Sequence, residues 1–267
     1  MTMKNKPGIF VLAAAAAATC APLATASAAT LSGTIRDFCA PNIAEVCTRL
    51  SDFEGSIPGI VTGMVQNTLG PDGKPVAGAN IVAGASSAAN FSKWFNDSPG
   101  YNSSQDFSLT LTEGPAGVYT YSSNNFFPID GELLGNQGRS HNYHFTLELA
   151  GLLSFDNPTA GADYSFNFTG DDDLWVFVNG ILMLDLGGVH GATSGSFTEE
   201  SLMLAGLVPN TDYALDIFFA ERHTTQSNFA ITSTLTIKDD TDVPEPGSLA
   251  LLGMGLAGLG FSRRRKT

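Results

Sequence analysis

The chain is 267 residues long and carries 13 Lys and Arg against 26 Asp and Glu, a formal net charge of −13. That balance excludes nucleic acid and anionic membrane surfaces as partners, because both repel an acidic body. The length suits one large β-domain with a trimmed segment at each end.

The first predicted element lies outside the fold. Lys4 and Lys6 form a basic start, Ile9 to Ala18 is a short alanine-rich apolar core, and Ala26-Ser27-Ala28 offers small residues to a signal peptidase. Residues 1–28 therefore read as a secretory signal peptide with cleavage before Ala29, the core being too short for a spanning helix. Cys20 lies inside this segment, but Ala17 is a poor lipoprotein signal. Export leaves Cys39 and Cys47 as a pair, and two cysteines in an exported protein predict a disulfide closing a short loop.

Before about residue 105 the chain is rich in Gly, Pro and Ser. It reads as loops and edge elements packed on the core of the same domain, with one short helix expected at Asn90 to Asp97. Strand signals follow. Tyr164, Phe166 and Phe168 alternate with polar residues; Tyr213, Leu215, Ile217 and Phe219 share one face; Phe229, Ile231, Leu235 and Ile237 share another. Recurrent period-two runs of aromatic and β-branched residues predict an all-β fold, an antiparallel β-sandwich with a jelly-roll-like plan. Trp94 and Trp175 read as core residues.

The densest chemistry falls between Gly170 and His190. Leu174 to Val178 is a strand, Asn179-Gly180 is a two-residue hairpin turn, and Ile181 to Leu184 returns. A simple ladder through that turn sets Leu174 opposite Asp185 and makes Asp172 and Asp185 diagonal neighbours. Asp171, Asp172 and Asp173 then meet Asp185 at the open end of the hairpin, and Gly187-Gly188 carries His190 past it. Carboxylates so close repel by about 1 kcal/mol even near water. A hard cation such as Ca²⁺ relieves that repulsion; the other reading is that the aspartates cap a turn and face solvent. The spacing is not that of an EF-hand loop. His141 and His144 fall on opposite faces. Glu221 and His223 flank Arg222 and either line the ligand site or close an internal salt bridge. No nucleophile elbow, zinc helix or phosphate loop is present, so no enzyme activity is expected.

The C-terminus reads as a second address. Val243-Pro244-Glu245-Pro246 precedes an apolar stretch, Gly247 to Phe261, and then Arg263-Arg264-Arg265-Lys266. The apolar stretch is marginal for a hydrocarbon core about 30 Å thick, and the basic cluster stays on the cytoplasmic side. Residues 29–246 hold 7 basic and 26 acidic residues.

Two resemblances follow. Residues 241–267 resemble a PEP-CTERM sorting signal of Gram-negative bacteria. This implies passage through the inner membrane, cleavage by an exosortase-type protease, and a place on the cell surface or in the extracellular matrix. The run Gly170-Asp171-Asp172-Asp173-Leu174-Trp175-Val176-Phe177-Val178-Asn179-Gly180, with Asp185 to His190, resembles the core of the fibro-slime domain. Asp52-Phe53-Glu54, Phe91 to Phe95, Phe126 to Asp130, His141 to Thr146, and Phe219 to His223 with Ser227 to Phe229 fit it too. Leu50-Ser51 departs from it where a His-Pro is usual. This domain, expected over 29–240, is similar to the carbohydrate-binding β-sandwich named after anthrax protective antigen. In lectin members of that group two aspartates joined by a cis peptide hold Ca²⁺, and the ion holds sugar hydroxyls. By this resemblance Asp171-Asp172 or Asp172-Asp173 is the pair and Asn228 a further ligand; the residue pattern itself adds Asp185 as a weaker ligand and Glu221, His223 and His190 as residues that line the ligand site. The implied function is Ca²⁺-dependent binding of exopolysaccharide or other glycans. The alternatives are a structural matrix component in which Ca²⁺ only stabilises the fold, and a polysaccharide hydrolase.

Overall fold

The computed structural model describes residues 28–39, 47–157 and 164–239. The expected leader and sorting tail lie outside them, apart from Ala28. The strands are β1 (Ala28–Phe38), β2 (Asn102–Glu113), β3 (Tyr119–Ser123), β4 (Phe145–Ser154), β5 (Ser165–Asp171), β6 (Asp173–Val178), β7 (Ile181–Leu186), β8 (Thr193–Thr198), β9 (Tyr213–Glu221), β10 (Asn228–Ser233) and β11 (Thr236–Lys238). They form one antiparallel sheet in the order β7-β6-β9-β4-β1-β2-β3-β10-β5-β8, with β11 added to β4. The sheet curls until its end strands meet: a Cβ on Gly195 of β8 would touch Leu184 and Leu186 of β7. The two expected layers are thus opposite walls of one nearly closed sheet.

The walls enclose an aromatic core in which Phe126, Phe145, Phe168, Phe219 and Phe229 pack at ring separations of 4.6 to 6.1 Å. Such pairs add about 0.5–1.5 kcal/mol each beyond area burial. Strand β6 is buried on both faces. Leu174, Val176 and Val178 point into this core. Trp175 and Phe177 point outward into a second cluster with Phe53, Phe91, Trp94, Phe95 and Phe218. The segment 47–101 therefore builds a second core on the outer face of the sheet; it does not pack on the first. Both tryptophans are core residues, as expected.

Helix α1 (Ala88–Phe91) starts earlier than expected, because Ser87 caps it by accepting from the Asn90 N–H at 3.2 Å. A second helix, α2 (Glu199–Leu204), was not expected; Thr198 and Ser201 cap it reciprocally and Leu202 plugs the inner core. Cys39 and Cys47 form the predicted disulfide.

Candidate functional site

One end of the curled sheet collects the ends of β5 and β9 and the starts of β6 and β10. Asp171 closes β5, Asp173 opens β6 and Asp172 lies between; the Asp171–Asp172 peptide is cis. Asn228 pairs with Asp171 across β5 and β10, and Ala220 pairs with Asp173 across β9 and β6, which sets Glu221 beside Asp172. The four acids are nearly or wholly buried.

Their partners divide them. Asp173 is bound to the fully buried Arg222, whose Nε stands 2.6 Å from Oδ2, and also accepts from the Gly188 N–H. Arg222 spends its other donors on Gly84 O at 3.1 Å and lies over the Trp94 ring. Among the described residues Asp172 Oδ2 accepts only the backbone N–H of Arg222, at 2.9 Å. Burial, then repulsion from Asp173, pushes Asp172 up to about 7. Burial, then repulsion from Asp172, holds Glu221 well above the usual carboxylate range. Glu221 Oε1 accepts the His223 N–H at 3.2 Å. Ser227 approaches the same carboxylate and lowers it somewhat, yet among the described residues neither Glu221 Oε2 nor Ser227 Oγ completes a hydrogen bond. Asp171 accepts from both the backbone and side-chain N–H groups of Asn228, the latter at 2.9 Å.

One expectation is corrected, and the other candidate residues are placed by their partners. The hairpin ladder is displaced by one residue: an irregularity between Val176 and Phe177 sets Trp175, not Leu174, opposite Asp185. Asp185 therefore accepts from Trp175 Nε1 at 2.9 Å and from the Gly63 N–H at 2.7 Å, and locks the outer segment onto the sheet. Asp173 likewise serves the fold through Arg222. His190 is buried, with Nδ1 2.9 Å from Gly191 O and Nε2 3.1 Å from Leu186 O, so its ring braces the chain. Of the pair Glu221 and His223, only His223 faces an ionic partner among the described residues, Glu54 at 3.9 Å, while Arg222 between them joins Asp173. His141 and His144 have separate partners, Asp130 and Glu54. Arg222 itself was missed as an organising residue, and its only sequence signal was an isolated cation in an apolar strand end.

Asp171, Asp172, Glu221 and the Asn228 amide remain as the rim. All are hard oxygen donors of the kind Ca²⁺ takes, and Glu221 Oε2 is an unpartnered buried oxygen among them. Among the described residues no three His, Cys, Asp or Glu side chains already close on a common point as a metal centre.

Fold and rim together define the class: an all-β domain with an acidic site at the strand ends of a curled antiparallel sheet. Residues 122–246 match the PA14 domain, and residues 242–266 match the PEP-CTERM protein-sorting motif. The second half of the chain carries a PA14 domain, followed by a PEP-CTERM sorting motif. Every rim residue falls inside the PA14 match. The motif marks an exported bacterial surface protein that an exosortase processes. Related chains include protein psiQ of Dictyostelium discoideum, 35% identical over 206 residues, covering 71% of this chain and 20% of psiQ. Protein psiD of the same organism is 36% identical over 201 residues, covering 69% of this chain and 38% of psiD. The chain thus spans less than half of these relatives. Among solved structures, the PA14 domain of the antifreeze protein MpAFP shares 12% identity over 79% of this chain and 84% of its own, at a TM-score of 0.31. A PA14 sugar-binding domain from an RTX adhesin shares 19% over 43% and 68%, at a TM-score of 0.26. Superpositions this loose carry no argument about the site.

Proposed function

We propose that this exported protein is a surface module that binds glycan through a calcium ion at the acidic rim. The observation that supports the reading is that Asp171, Asp172 and Glu221 crowd one strand end and none of them forms an ion pair among the described residues. The nearby guanidinium, on Arg222, is committed to Asp173, and Glu221 Oε2 is buried without a hydrogen bond. Buried like charges with an unsatisfied oxygen need compensation from outside the chain. Asp171, Asp172 and the Asn228 amide oxygen are the ligands assigned to the ion, with Glu221 adding charge beside Asp172. When bound, the ion supplies a positive centre for vicinal sugar hydroxyls. The chain's own residues position that centre: the ladder between β5 and β10 sets Asp171 against Asn228, and the Arg222 N–H orients Asp172.

These side chains do not already close on one point among the described residues, so holding an ion would require Asp171, Asp172 and the Asn228 amide to draw together. The same observation favours a second reading, in which a matrix protein uses calcium only to stiffen its fold. The test is a glycan array probed with the processed protein in calcium and in chelator, alongside melting curves. Glycan binding lost in chelator supports the module; calcium stabilisation with no glycan bound supports the matrix protein.

A further inference from the structure

The rim has a cationic flank. His223 Nε2 stands 3.9 Å from Glu54 Oε2, and His144 Nε2 stands 3.2 Å from Glu54 Oε1. The Glu54 N–H donates to Arg222 O at 3.0 Å, which ties this cluster to the residue beside Glu221. Arg139 Nη1 lies 3.0 Å from His144 Nδ1. Burial, helped by the charges of Arg139 and Arg49, keeps His144 below its usual range. A neutral His144 donates through Nε2 to Glu54 and accepts from Arg139 through Nδ1. The His144 hydrogen bond, as the largest cause, holds Glu54 down at about 2. Arg49 reaches the Phe53 and Glu54 carbonyls, at 2.9 and 3.4 Å.

Two guanidiniums therefore stand around Glu54, Arg139 through His144 and Arg49 on its backbone carbonyl. Among the described residues neither Arg49 nor Arg139 forms an ion pair, whereas Arg36, Lys74, Arg222 and Lys238 each do; the seventh base, Lys93, forms none either and lies over the Tyr101 ring. Arg49 is exposed and Arg139 half-buried, so both are accessible. A body with 26 acids for 7 bases has carboxylates to spare. Two guanidiniums left outside its ion pairs, both around Glu54 on the flank of this rim, fit a carboxylate that arrives with the ligand. A guanidinium fork matches a planar carboxylate with two parallel hydrogen bonds.

We infer that the glycan taken at this rim is acidic: its sugar carboxylate rests on Arg139 and Arg49 while its ring hydroxyls reach the ion. This rests on the calcium–glycan reading above. The overall negative charge of the body repels a polyanion at long range, so the contact is short-range and weakens with salt.

The experiment compares short oligouronides, too short to gel with calcium, with neutral oligoglucosides of the same length on the processed protein in millimolar calcium. The uronide binds about tenfold tighter or more, as charge-assisted hydrogen bonds require. The Arg49→Gln/Arg139→Gln variant loses that preference, and Arg139→Lys keeps part of it. Arg49→Gln alone, at an exposed position, serves if the double variant does not fold. Equal affinity for both sugars in the parent, or a preference that survives the double variant, overturns the inference and leaves the calcium–glycan reading standing. A sulfated oligosaccharide binding as tightly as the uronide overturns the carboxylate assignment. Binding of none of the three sugars removes the calcium–glycan reading itself.

Discussion

Replacing Arg222 with methionine removes a fully buried guanidinium that does three jobs at once. It neutralises Asp173 through contacts of 2.6 and 3.3 Å, satisfies Gly84 O, and stacks on Trp94. The variant leaves the Asp173 carboxylate buried with only the Gly188 N–H. Removing one partner of a buried pair costs about 3–5 kcal/mol. For a body of this size each kcal/mol lowers the melting temperature by about 2–4 °C, so the fall is about 6–20 °C. The assay is circular dichroism melting in chelator, which keeps calcium out of the comparison. The companion variant Arg222→Met/Asp173→Leu removes both charges and recovers most of the loss, because well-packed apolar replacements of a buried pair are often neutral or better. A loss below about 1 kcal/mol for the single variant, or a double variant no more stable than the single, refutes the reasoning.

Asp185→Ala loses about 1–3 kcal/mol by stranding Trp175 Nε1 and the Gly63 N–H, yet keeps its calcium response; loss of that response would return Asp185 to the rim. Asp37 is fully buried and is pushed by burial up to about 7. Its folded state therefore holds a proton that the unfolded chain releases near pH 4, so this contribution is full below about pH 4 and is lost as pH rises through about 7. Asp37→Asn flattens the decline in melting temperature over that window, by at most about 4 kcal/mol; an unchanged slope contradicts the assignment. Reducing Cys39–Cys47 costs about 2–3 kcal/mol for so short a loop, read as a lower denaturation midpoint in reductant.

Much of this architecture is written in local pattern. Alternation marks β5, β9 and β10 because each presents one face to the inner core, and Asn179-Gly180 marks its hairpin because both residues take positive φ. The outer core was hidden for a related reason. Strand β6 is buried on both faces, so its continuous apolar run does not say what covers Trp175 and Phe177. The irregularity beside Phe177 has no residue signature either, and it alone moves Asp185 from the rim to Trp175. At the site, the aspartate run was visible, but its division was not. Which acid keeps a cation depends on Arg222, 49 residues from Asp173, and only the folded sheet brings them together.

Calorimetric titration of the processed protein with calcium, beside its Asp172→Asn variant, tests the central claim most directly. The account predicts uptake of one ion with a dissociation constant of about 10⁻⁴–10⁻³ M, the range of extracellular modules, and none by the variant. No heat and no thermal stabilisation at millimolar calcium, or a variant that binds as the parent does, would contradict it.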